Sequence, residues 1–108
     1  MNSRHQDIPQ LDRLIHEPAR LAILTILKGV GEADFLYLQR ECGLTQGNLS
    51  SHLSKLEEAG YVKIEKKFKG KLPLTICRLT AGGEKAFLAY SQQMLGILQP
   101  AKTKVKRI

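Results

Sequence analysis

The sequence lacks the features that mark membrane proteins, secreted proteins and disulfide-linked proteins. Its 108 residues contain no apolar run long enough for a membrane-spanning helix, which needs about 18 residues. Residues 1–7 are polar and lack the apolar stretch of a signal peptide, which favours a cytoplasmic protein without a membrane partner. The only cysteines, Cys42 and Cys77, are too few for a disulfide framework.

Motifs for catalysis and metal binding are also missing. The sequence contains no nucleophile elbow, phosphate-binding loop or paired-carboxylate pattern, so we expect no enzyme and no cofactor. The cysteines form no CxxC pair, and His5, His16 and His52 have no ligand spacing, so no metal site is predicted. We interpret the cysteines as small, partly buried thiols, with a thiol-based redox sensor as the alternative.

Positive charge is abundant and unevenly distributed. The net charge is +7, and residues 63–71 hold five lysines against one glutamate. Residues 101–108 add three lysines and one arginine, in a tail that we expect to be flexible. The rest of the chain is close to neutral, so the charge distribution favours a phosphate-binding surface over a generally solubilising one.

Hydrophobic spacing and capping residues predict one domain, residues 1–108, that is mainly helical. Helices are predicted at about 7–15, 18–28, 34–42, 45–59 and 80–99. After Gly60 the pattern alternates, which predicts strands at 62–65 and 74–79, a hairpin tip at 68–73, and a further short strand at 32–33. Gly43 separates two helices by a tight turn, and a basic hairpin follows the second helix. This order predicts a winged helix-turn-helix, with residues 62–79 as the wing.

Several segments resemble known winged-helix regulators. Residues 18–24 (PARLAIL) look like the first helix of ArsR-type proteins, and residues 45–62 are similar to their recognition helix and the strand after it. Residues 79–83 (LTAGG) resemble a junction of MarR- and PadR-like proteins, and 70–75 resemble compact winged helix DNA-binding domain proteins. The resemblance covers about 16–95 and implies a transcriptional regulator. Metal-sensing ArsR members carry a cysteine pair before the turn, whereas here only Cys42 is present.

The helix at 45–59 is the predicted recognition helix. Leu49, Leu53 and Leu56 form a core stripe at 100° per residue, and the opposite side is polar and small. Such a face fits the major groove, where amide side chains pair with adenine and serines contact bases or phosphates. The candidate contacts on this helix are Gln46, Gly47, Asn48, Ser50, Ser51, His52, Ser54 and Lys55.

The wing supplies the other predicted DNA contacts. Lys66, Lys67, Lys69 and Lys71 surround Gly70 and are expected to reach phosphates or the minor groove. Three further roles have alternatives. His52 contacts a phosphate or bonds internally; Arg20 is favoured as a structural partner over a base contact; and Phe68 is favoured to pack under the wing over intercalating.

The last helix carries more apolar residues than one core face needs, which predicts a homodimer. Phe87, Met94 and Leu98 form one stripe, Leu88 and Leu95 widen it, and Tyr90 and Ile97 point to another side. Dimerisation would place two recognition helices about 34 Å apart on a near-palindromic operator. The expected interface comprises Leu11, Leu14, Ile15, Phe87, Tyr90, Met94, Ile97 and Leu98.

The sequence leaves two alternatives open. The N-terminal segment can cover the surplus of the last helix within one chain. A winged-helix protein-interaction or RNA-binding module is the alternative function, although such modules commonly lack a small polar face on the helix equivalent to 45–59. The sequence therefore favours binding of double-stranded DNA.

Overall fold

The computed structural model describes residues 10–99, which form four helices and a three-stranded antiparallel sheet. This is the mainly α winged helix-turn-helix that the sequence predicts. The predicted basic tail at 101–108 lies outside the described residues. The elements are α1 (Pro18–Val30), β1 (Glu32–Asp34), α2 (Phe35–Cys42), α3 (Gln46–Glu58), β2 (Val62–Lys69), β3 (Leu72–Leu79) and α4 (Ala81–Leu98).

Residues 10–17 form turns, so the helix predicted at 7–15 is wrong over its described part. The Asp12 carboxylate accepts hydrogen bonds from the backbone N–H of Leu14 at 2.9 Å and of Ile15 at 3.3 Å. A side chain that takes backbone donors in this way competes with helix formation. The backbone of Glu17 is extended because Pro18 follows it. The turns of residues 10–17 are therefore not continuous with helix α1.

Side-chain caps begin each of the first three helices. The Glu17 carboxylate caps α1, and the hydrogen bond from the Arg20 backbone N–H holds the pKa of Glu17 below its usual value. Asp34 caps α2, and Thr45 caps α3. Gly43 ends α2 in the left-handed conformation at φ 64°, ψ 34°, which glycine adopts without steric cost. Two residues, 44 and 45, complete the turn into α3.

The sheet has the strand order β1-β3-β2, with the short edge strand β1 at the position predicted for a third strand. In the register of β2 and β3, Val62 pairs with Leu79 and Lys69 with Leu72. The predicted tip at 68–73 is therefore too wide, because the strands continue until only Gly70 and Lys71 form the turn. Gly70 has a φ of 65°, the positive value that a two-residue hairpin requires at its first position.

The core lies where α1, α2 and α3 meet the base of the hairpin. None of the described helices is long and apolar enough to cross a membrane. The buried hydrophobic residues come from every element except the outer half of the hairpin, and they include the predicted stripe of α3. They are Leu11, Ile15, Ile23, Leu24, Leu27, Ala33, Leu38, Leu49, Leu53, Leu56, Val62, Cys77 and Tyr90.

The start of α4 is fixed against the segment that follows α3. The Thr80 hydroxyl donates to the Gly60 carbonyl at 2.5 Å and accepts from the Gly83 N–H at 2.9 Å. The Thr80 N–H donates to the Tyr61 carbonyl at 3.1 Å. A Cβ at Gly83 would collide with the Tyr61 carbonyl oxygen and lie 2.8 Å from its carbonyl carbon. Residues 79–83 thus combine a cap with a close backbone contact.

The structure corrects the predicted faces of α4. Tyr90 is buried at 4% exposure, and its hydroxyl lies 2.7 Å from His16 Nδ1. Leu88, Leu95 and Leu98 are exposed at 57%, 62% and 69%. Apolar residues cover most of the helix circumference, so spacing alone does not identify the core face. The tyrosine ring is buried, while its hydroxyl reaches the exposed residue His16 and so has a polar partner.

Leu11 and Ile15 are also buried within the single chain. Together with Tyr90 they have no surface left for a second copy, and this part of the predicted interface is wrong. Leu14, Phe87, Met94 and Ile97 are half-buried against the core. The apolar face that α4 leaves open consists of Leu88, Leu95 and Leu98.

We expect Gly83→Ala to lower the free energy of unfolding by about 1–3 kcal/mol, the usual cost of overpacking a close contact. Gly82→Ala is the matched control, because its Cβ would meet its nearest neighbours at 3.6 and 3.7 Å, ordinary contact distances. Urea unfolding followed by circular dichroism measures both. Equal stability of the two variants would contradict the role assigned to Gly83.

Candidate nucleic-acid interface

The exposed side of α3 is polar and built from short side chains. Leu49, Leu53 and Leu56 are buried, as the angular analysis predicts, and anchor the helix to the core. The Thr45 hydroxyl accepts from the Asn48 N–H at 3.1 Å and fixes the first turn. The exposed residues predicted to contact DNA are Gln46, Gly47, Asn48, Ser50, Ser51, Ser54 and Lys55.

His52 is half-buried and bonded inside the chain. Arg20 Nη1 lies 3.1 Å from His52 Nδ1, and Arg20 Nε donates to the Leu14 carbonyl at 2.6 Å. A guanidinium only donates, so Nδ1 is the acceptor and the remaining ring proton lies on Nε2. Arg20 is therefore a structural partner, as favoured from the sequence, and His52 takes its internal alternative.

A cleft of about 450 Å³ separates α3 from the hairpin. Its polar lining comes from both predicted DNA-contacting elements, and its apolar floor comes from the core edge. The lining residues are Phe35, Gln46, Ser50, Leu53, Ser54, Ile64, Lys66 and Thr75. The structure thus brings Gln46, Ser50 and Ser54 of the predicted set together with Lys66.

The other wing lysines lie elsewhere on the hairpin. Side chains alternate along a strand, so Lys67 and Lys69 lie on the face opposite to Lys66. Lys71 lies in the turn, and all four lysines are exposed. Thr75 also lines the cleft, but the sequence analysis does not name it as a candidate. It is the cross-strand partner of Lys66, so the correct pairing of the two strands would have identified it.

Charge on the hairpin changes from its base to its tip. At the base, Glu65 pairs with Arg78 at 2.8 Å and lies 3.9 Å from Lys63. In the described part of the chain, no ion pair involves Lys66, Lys67, Lys69 or Lys71. The outer half of the hairpin therefore presents four unneutralised cations.

Phe68 corrects a further prediction. The sequence favours packing of Phe68 under the wing, but its side chain is 73% exposed beside the hairpin tip. Its cross-strand partner is Pro73, which is also exposed. Phe68 is not among the residues that pack against the core, so the expected packing under the wing is wrong.

The two cysteines are poor candidates for a reactive thiol. Burial raises the pKa of Cys77 to about 11, and burial also raises the pKa of Cys42, with a smaller contribution from Glu41. In both cases the raised pKa lowers the fraction of thiolate, which is the reactive form. In residues 10–99 no group of three or more His, Cys, Asp and Glu side chains is arranged to hold a metal ion.

Comparison with known families gives one decisive match. Residues 19–98 match the model of the family described as winged helix DNA-binding domain. The chain belongs to this family. The matched region contains α2, α3, the hairpin and α4, and so includes the whole candidate interface of the winged helix domain.

Individual proteins are similar to most of this chain. An uncharacterized protein of Methanocaldococcus jannaschii is 38% identical over 84 residues, which cover 77% of this chain and 90% of the relative. A transcriptional regulator homologue from Pyrococcus horikoshii OT3 superimposes with a TM-score of 0.81 and 27% identity, covering 88% of this chain and 93% of the other. A MarR-family structure from Enterococcus faecalis shares the fold at a TM-score of 0.71 and 24% identity, covering 89% and 86%.

The unpaired lysines at the wing tip generate a prediction. Replacing Lys69 and Lys71 together with Ala should weaken binding to all duplexes about equally, because phosphate contacts carry no sequence information. The slope of log affinity against log salt should fall by about 1 for each lysine.

Electrophoretic shift or fluorescence anisotropy at several salt concentrations measures this slope. Lys28→Ala combined with Lys85→Ala removes the same charge from α1 and α4, outside the candidate interface, and serves as the control. If both double variants show the same slope, the wing lysines do not contact phosphates.

Proposed function

We propose that the protein is a transcriptional regulator that binds specific sequences of duplex DNA as a homodimer. In this proposal, α3 lies in the major groove, and the hairpin contacts phosphates and the adjacent minor groove. The observation that carries it is the cleft, where the small polar face of α3 lies opposite a hairpin with unpaired lysines. The description of the Pyrococcus horikoshii protein as a transcriptional regulator homologue supports a regulatory role.

The residue types on α3 suit base contacts near the helix N-terminus. Gln46 and Asn48 offer both a donor and an acceptor, which matches the major-groove edge of adenine. A Cβ added at Gly47 would meet no atom within 4 Å, so packing within the chain does not require a glycine there. The lack of a side chain there lets the helix backbone approach DNA closely, which is a use consistent with its position.

His52 has a more limited role in this proposal. Because Arg20 occupies Nδ1, the Nε2 proton is the only ring donor left for a phosphate. The same hydrogen bond fixes the ring on α3, so a contact from His52 would orient the helix and contribute no base specificity.

The dimer would form through the open face of α4. Leu88, Leu95 and Leu98 follow each other at spacings of seven and three residues and so lie along one side of the helix. They are all more than half exposed. Packing of this stripe against its symmetry mate would bury apolar surface in a closed two-fold arrangement. A near-palindromic operator follows from that symmetry.

Selection of bound sequences from a random duplex library tests the proposed specificity. We expect a recurring motif, and we expect at least one of Gln46→Ala, Asn48→Ala and Ser50→Ala to relax one base position by about 1–3 kcal/mol. Gln92→Ala is the matched control, an exposed glutamine on α4. Parent-like binding by all three variants would remove α3 from the major groove. A preference for RNA or single strands would favour the alternative function.

Sedimentation equilibrium tests the dimer. The unmodified protein should be dimeric at micromolar concentration, and Leu88→Glu combined with Leu95→Glu should give a folded monomer, because charges would be buried without partners. Val30→Glu combined with Leu36→Glu changes equally exposed apolar residues on α1 and α2 and should leave the dimer intact. A monomeric parent, or a dimer that survives the α4 substitutions, would contradict this interface.

A further inference from the structure

The outer end of the hairpin carries exposed apolar side chains that the fold does not use. Phe68 is 73% exposed and Leu72 is 62% exposed, and neither packs against the core. Pro73 is exposed beside Phe68. Single exposed apolar residues are common in proteins, but three within six residues at a protruding tip form a surface suited to binding.

Strand register assigns these side chains to the two faces of the hairpin. Phe68 and Pro73 pair with each other and lie on the face that carries Lys66 and Thr75, which line the cleft with α3. Leu72 pairs with Lys69 on the opposite face. The aromatic ring therefore lies on the same side of the hairpin as the polar face of α3, farther out along the strand.

The charge around this tip selects the occupant. The four lysines of the outer hairpin are exposed and have no ion-pair partner within residues 10–99. A second copy that docked with its own hairpin tip would bring the same positive charge to the contact and be repelled. Duplex DNA offers phosphates on both rims of its minor groove and apolar sugars and stacked bases between them, which matches cations flanking an apolar tip.

The hairpin is also long enough to reach the base edges in the minor groove. Three residue pairs extend past the pair of Lys66 and Thr75 that lines the cleft, from Lys67 to Lys69 on β2, and at about 3.3 Å per residue they span roughly 10 Å. The minor groove is about 7.5 Å deep. The tip therefore reaches the base edges even when the base of the hairpin stays outside the groove.

We propose that Phe68 is an apolar wedge that inserts between base pairs from the minor groove and kinks the DNA, while Leu72 packs against the groove wall. This proposal rests on the proposed DNA-binding function and adds a second source of specificity. Pyrimidine–purine steps unstack most easily, so the protein prefers such a step at the wing contact, a position where no side chain needs to hydrogen-bond a base.

Unstacking is measured with a duplex chosen from the selected sequences that carries 2-aminopurine at the wing contact. Fluorescence of this base rises when it loses its stacking neighbour. We expect the unmodified protein to raise it severalfold, Phe68→Ala to abolish the rise and weaken binding by about tenfold or more, and Phe68→Leu to retain part of both. Leu36→Ala, which changes an exposed leucine of α2, should behave like the parent.

The outcomes separate the two proposals. If the unmodified protein binds no duplex, both fail. If it binds its selected sequence but fluorescence does not rise and Phe68→Ala binds as tightly as Leu36→Ala, the wedge is overturned while the DNA-binding function stands. If Phe68→Ala converts a dimer to a monomer in sedimentation, the tip contacts a second copy, and the wedge is again overturned.

Discussion

Four segments of the chain meet at Tyr61, and the relative positions of the functional elements depend on this residue. Its N–H donates to the Leu56 carbonyl at 2.9 Å, which joins it to α3. Its carbonyl accepts from Thr80 and is in close contact with Gly83 at the start of α4. Its hydroxyl donates to Asp12 Oδ2 at 2.5 Å, and this bond and burial raise the pKa of Tyr61 to about 12. β2 begins at the next residue, so the wing is oriented from the same point.

The parts of the fold that the sequence predicts correctly are those specified locally. A capping hydroxyl or carboxylate and a left-handed glycine fix helix ends within a few residues, as Thr45 and Gly43 do around the turn. The incorrect parts depend on distant partners. The hydroxyl of Tyr90 bonds to His16, 74 residues away, and the hydroxyl of Tyr61 bonds to Asp12, 49 residues away. Periodicity within one helix contains no information about these partners.

The candidate site follows the same division. The polar face of α3 could be identified because the leucines on the opposite side of the helix recur at regular helical spacing. The cleft could not, because it depends on where the hairpin lies relative to α3, and the exposure of Phe68 depends on how far the strands extend past the core. Because Lys69 pairs with Leu72, the strands extend farther than the sequence predicts. The side chain of Phe68 therefore lies in solvent and not in the expected interior.

The N-terminal segment connects the two surfaces that the proposed function requires. Arg20 bonds to His52 on α3 and to the carbonyl of Leu14 in the segment, while His16 bonds to Tyr90 on α4. The segment is thus joined to α3 through Arg20 of α1, and it contacts α4, the helix with the open apolar face, through His16. Polar contacts of this kind are directional, so they restrict how α3 tilts relative to α4 more than apolar packing alone does. In a dimer built on α4, that restriction would set the distance between the two α3 helices. Through these contacts the segment would influence the operator spacing of such a dimer.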